Sequence, residues 1–88
     1  MRHIEMHYYT REAITEMAWQ GYAAVIPLAA TEQHGPHLPV FTDALICEHI
    51  AFAAGARAAD QVPLLVAPVM PIGCSQHHLS FGGTLSFT

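Results

Sequence analysis

The sequence predicts an α/β fold with a parallel sheet core and flanking helices. Three observations carry that prediction. Two continuous apolar runs, YAAVIPLAA at residues 22 to 30 and LLVAPVM at residues 64 to 70, have the length and composition of strands buried on both faces. Between them, residues 42 to 59 recur at helical rather than alternating spacing. Only the short connector DQVP separates that helix from the second run, and a strand, helix, strand unit of this kind pairs in parallel through a right-handed crossover.

The elements follow in order. Thr10 is a good helix cap, Glu12 places an acid in the first turn to meet the helix dipole, and Ala13, Ile14, Met17 and Ala18 recur at helical spacing up to Gly21. A first helix over residues 10 to 20 is therefore expected. In the first strand Pro27 removes one ladder donor. Thr42 or Asp43 can cap the second helix, whose Leu45, Ile46, His49, Ile50, Ala53 and Ala56 form a broad apolar face expected to pack on the sheet. Gly55 weakens that helix, while its many alanines suit close packing. The second strand carries Pro68 near its exit.

Length and composition narrow the class. The chain has 88 residues, at most one domain, and a domain of that size buries about 60 to 65% of its unfolded surface. It is 52% hydrophobic and 11% charged, against about 45 to 50% and about 25% in an ordinary soluble domain. Much of its outside is expected to be covered, by other subunits or by more of the same domain. The strand-like ending GGTLSFT reads as an interruption rather than a finished domain. A net charge of -4 with only Arg2, Arg11 and Arg57 as basic residues leaves no footprint for nucleic acid or an anionic membrane. The start has no apolar signal region, and residues 44 to 59 are too short and interrupted to span a bilayer, so a cytoplasmic location is expected. Cys47 and Cys74 lack paired spacing and are expected to be reduced packing residues.

Parallel pairing places the loops after both strands on one carboxyl edge of the sheet, where open α/β sheets bind ligands. Those loops, residues 31 to 42 and 71 to 80, hold His34, His37, His77, His78 and Glu32. Glu32 and His34 are two apart, so in an extended segment both project to one side. Asp43 follows a turn stiffened by Gly35, Pro36 and Pro39, and is either a helix cap or, if Thr42 caps, free for the site. Mixed carboxylate and imidazole donors suit Zn, Mn, Fe or Ni rather than Ca or thiolate zinc. The competing reading makes Glu32 a solvated charge and His37 a satisfied loop histidine. His3, His7 and His49 have no identifiable partners and are assigned structural roles. Adjacent side chains diverge in most backbones, so at most one of His77 and His78 is expected to face a site.

The stretch PLAATEQHGPHLPVFTD, residues 27 to 43, resembles the E-Q-H-G-P-H-L-P and T-D motifs of the creatininase, or creatinine amidohydrolase, family. A second stretch, GCSQHHLSFGGTLSF at 73 to 87, is similar to that family's G-x-S-x-E-H-x-x-F-P-G-T-L-S pattern. The resemblance implies a three-layer α/β/α fold, incomplete in this chain, with residues 1 to 88 as the N-terminal part of a single domain. It implies two divalent metals, zinc or manganese with iron as a further possibility, with Glu32 a ligand of one, His34 of the other and Asp43 bridging both. His37 is implied to support rather than ligate, and His78, the catalytic candidate, to line the substrate cavity. His77 departs from the family's glutamate and Gly82 from its proline, so the second loop is expected to be set differently. The family's remaining ligands lie beyond the motifs present here. The implied activity is hydrolysis of a cyclic or non-peptide amide C–N bond by a metal-activated water, on a small-molecule substrate, in a homo-oligomer that is often a hexamer. The other expectation is a non-catalytic metal-binding or oligomer-forming remnant of the family.

Overall fold

The structure, a computed structural model, describes residues 3 to 87; Met1, Arg2 and Thr88 lie outside the described residues. Thr10 caps helix α1, Arg11–Trp19, by accepting a hydrogen bond from the Ala13 N–H at 3.2 Å. The chain then passes through β1, Ala23–Val25, helix α2, Thr42–Ala58, and β2, Leu64–Val66. Single 3-10 turns lie at Met6–Tyr8 and Gln76–His78. The strands pair in parallel with Ala23 opposite Leu64 and Val25 opposite Val66, as the strand, helix, strand order requires. On its other side β2 is met by the N-terminal segment, where the Val66 N–H donates to the Ile4 carbonyl at 2.7 Å.

Both apolar runs are shorter as strands than expected, and prolines are the reason. Pairing lapses where Pro27 and Pro68 withdraw their N–H donors, then resumes at a parallel bridge between Leu28 and Met70. From Val66 to Met70 the second run uses one residue more than the first does from Val25 to Leu28, so it bulges. The Ala67 and Met70 N–H groups, donating to the Val25 and Pro27 carbonyls at 2.8 and 2.9 Å, carry the two chains across the bulge together. The loops that follow therefore leave the same edge.

Side chains alternate across β2. Leu64 and Val66 pack with Ile4 and Ala59 on one face, while Leu65 shares a cavity with Ile14 and Met17 of α1 on the other. The helices thus lie on opposite faces of the sheet, the layering expected of an α/β/α fold. α2 approaches closely at Gly55, where an added Cβ would sit 2.7 Å from a methyl of Val66.

Two expectations about burial are corrected. The face of α2 turned to the sheet carries Ala44, Ala51, Phe52, Gly55 and Ala59, whereas Leu45, Ile46, His49, Ile50, Ala53 and Ala56 are exposed. α2 is apolar nearly all round, so periodicity could not choose the face; the small residues win because they let helix and sheet approach. β1 is not buried on both faces either, since Ala23 and Ala24 are exposed and only β2 is covered on both. The Cα radius of gyration is 15.7 Å, against about 12 Å for a compact domain of this length. The molecule is a flat slab with a thin core and wide apolar faces. No helix among the described residues is long and apolar enough to cross a membrane.

Candidate metal centre

Two loops and the first turn of α2 build the site. The Glu32 N–H donates to the Val40 carbonyl at 3.1 Å, closing the first loop on itself and bringing the start of α2 back to Glu32. The Thr42 hydroxyl turns back to the Pro39 carbonyl. Asp43 makes no capping hydrogen bond and faces the site. The last segment straps the two loops together: Leu85 pairs antiparallel with Thr31, Ser86 pairs with Gly73, and the Thr84 and Ser86 hydroxyls accept from the Gln33 and Ser75 N–H groups at 3.1 and 2.8 Å. Gly83, at φ 82°, permits this, because a side chain there would strain the backbone and strike Val40.

Glu32, His34 and Asp43 each present one donor atom within 4.8 Å of the others. The His34 Nε2 atom is buried, lies 3.5 Å from Asp43 Oδ1 and has no hydrogen-bond partner. Burying a polar atom without a partner is costly, and a divalent cation held between this imidazole and the two carboxylates would satisfy it. The donor set and the orphaned nitrogen thus fit a Zn- or Mn-class ion.

The second loop adds one residue that the sequence did not single out. Ser75 is buried, and its hydroxyl hydrogen bond holds the Glu32 carboxyl below the usual glutamate range, against a smaller upward push from desolvation and with help from His78, His77 and His34. His78 turns Nε2 toward Glu32 Oε2 at 3.9 Å. Its neighbour does not diverge: the His77 and His78 rings lie 4.1 Å apart, and both offer a nitrogen to a group with Glu32. The expectation that at most one would face the site rested on adjacent side chains diverging in most backbones, and the 3-10 turn over Gln76–His78 is a backbone in which they do not. His37 is exposed and belongs to neither donor group. His3, His7 and His49 are likewise outside them, and the His7 ring lies tilted against Tyr8. Both cysteines are free, but Cys74 is exposed rather than packed.

The model of the family described as creatinine amidohydrolase matches residues 7–88. The chain belongs to the creatininase family. Curated relatives are named mycofactocin precursor peptide peptidase: one from Mycobacterium tuberculosis strain H37Rv is 46% identical over 68 residues, covering 70% of this chain and 27% of the relative. Those from Mycobacterium ulcerans and Mycolicibacterium smegmatis are 42% and 41% identical over 67 and 66 residues, each covering 70% of this chain and 27% and 26% of the relative. The matched stretch thus spans about a quarter of these relatives' length.

Proposed function

We propose that this chain supplies Glu32, His34 and Asp43 to a centre for two divalent metals, zinc or manganese with iron also admissible, in an enzyme that hydrolyses an amide C–N bond. The observation that carries the reading is the buried, partnerless His34 Nε2 facing Asp43 Oδ1 with Glu32 alongside. Metals held there would supply a water acidified toward neutrality and a Lewis acid for the amide carbonyl. The chain's own residues do the rest. Ser75 favours the ionised form of Glu32, the strap from Thr84 to Ser86 fixes both loops, and His78 turns an imidazole toward Glu32. Hydrolysis adds hydroxyl to the acyl carbon and hydrogen to the departing nitrogen, and the imidazole is placed to hold or pass that proton.

Two substrate classes follow from the family. A cyclic or non-peptide small-molecule amide is the expectation from the family resemblance; a peptide bond in a precursor peptide is favoured by the relatives' name and their 41 to 46% identity. In this reading residues 1 to 88 are the N-terminal part of one creatininase-like domain working in the cytoplasm. The domain works as a homo-oligomer, a hexamer by family resemblance, because Ile46, Ile50 and Leu28 stand more than half exposed. A metal-binding or assembly role without turnover is the competing reading, and the open, slab-like shape favours it. The test is hydrolysis by metal-loaded protein of a precursor peptide and of creatinine, each with an Asp43→Ala control. Metal-dependent cleavage of either, lost in the control, supports the enzyme; metal binding without cleavage supports the competing reading.

A further inference from the structure

Gln33 lies between two candidate ligands, and no part of the proposed centre uses its side chain. In the extended stretch of the loop it projects away from Glu32 and His34 and reaches the second loop instead. Its Oε1 atom accepts from the Gly35 N–H at 2.9 Å. Its Nε2 atom lies 2.8 Å from His78 Nδ1. A backbone N–H can only donate, so the Gly35 contact decides which end of the Gln33 amide is oxygen. The amide nitrogen is then left facing Nδ1, and an amide nitrogen can only donate. His78 Nδ1 must accept.

The geometry points to Gln33 as the positioning residue that locks neutral His78 in its Nε2–H tautomer, a hydrogen-bond donor turned toward Glu32 and the substrate space rather than a metal ligand. A neutral imidazole has one N–H and one lone pair, so occupying the Nδ1 lone pair sends the proton to Nε2. That nitrogen faces Glu32 Oε2 at 3.9 Å. The surroundings hold the ring in place: the His77 ring lies 4.1 Å away and the Phe81 ring 6.5 Å away, both tilted to it, and the His78 N–H is tied to the Ser75 carbonyl at 2.9 Å. The lock also separates the two donor groups that share Glu32. The group with His34 and Asp43 holds a buried imidazole nitrogen without a hydrogen-bond partner; in the group with His77 and His78, the lock puts a proton on the His78 Nε2 atom that faces Glu32. The functional consequence rests on the proposed amidohydrolase reading, since a fixed N–H beside Glu32 matters most where a carbonyl oxygen or departing nitrogen must be met.

The experiment reads the tautomer directly, so it is independent of whether the chain hydrolyses anything. In the full chain, labelled with 15N at histidine, stripped of metal by chelator and held at about pH 9, where imidazoles are neutral, long-range proton–nitrogen spectra distinguish pyrrole-like from pyridine-like ring nitrogens. The expected result is pyridine-like Nδ1 and pyrrole-like Nε2 at His78. Gln33→Glu keeps the shape but offers only acceptors, so Nδ1 should become pyrrole-like; a residue that merely packed would leave it unchanged. A pyrrole-like Nδ1 in the unsubstituted protein, or an unchanged pyridine-like Nδ1 in folded Gln33→Glu, overturns the proposal. Should Gln33→Glu fail to fold, the unsubstituted spectrum decides alone. Loss of hydrolysis with the tautomer intact would count against the amidohydrolase reading and not against the lock.

Discussion

Ser75 illustrates how much of the site is made by residues with no ligand chemistry of their own. It is 2% exposed, and its hydroxyl is the main cause of the lowered Glu32 pKa. A carboxyl whose folded pKa lies below its unfolded value, about 4.3, adds stability that is present above that unfolded value and fades as pH falls through the folded one. Ser75→Ala should therefore raise the Glu32 pKa and flatten the acid limb of the stability profile, as followed by carboxyl NMR in metal-free protein. An unchanged Glu32 titration would contradict this. Glu32 and His34 were legible because their spacing of two is local, and Asp43 because it belongs to a motif. Ser75 and Gln33 were not, since each takes its meaning from a partner in the other loop; Gln33 meets His78 across 45 residues. Periodicity says nothing about such pairs.

At the scale of elements, the parallel unit and its helices were readable because apolar runs and helical spacing are properties of single segments. Which face of α2 packs was not, because Leu45, Ile46 and Ile50 outrank Ala51, Gly55 and Ala59 on any hydrophobicity scale yet stand exposed. Backbone proximity decided it. Gly55→Ala tests that account, since the new methyl gains about 1 kcal/mol of helix propensity but must displace a fully buried Val66 methyl from 2.7 Å. Overpacking of this kind costs about 1 to 3 kcal/mol. The expected outcome is a net loss of stability of about 1 kcal/mol, read as a lower urea midpoint with unchanged slope. A gain in stability would mean that α2 does not approach the sheet as described.

For the whole molecule, the excess of apolar composition became a shape: a slab of 46 by 25 by 16 Å with Trp19 85% and Leu28 70% exposed. Faces of that kind are stable in water only when covered. If a second copy provides the cover, the protein should sediment as an oligomer, and Ile46→Glu with Ile50→Glu on the outward face of α2 should shift it to monomer while helical content is kept. A monomeric unsubstituted protein would contradict self-association. The central claim is that the carboxyl edge of this sheet holds metal, and elemental analysis of the purified protein beside His34→Ala and Asp43→Ala tests it most directly. The account predicts divalent zinc or manganese in the unsubstituted protein, falling by at least half in each variant. Metal content that is absent throughout, or equal in all three proteins, would contradict it.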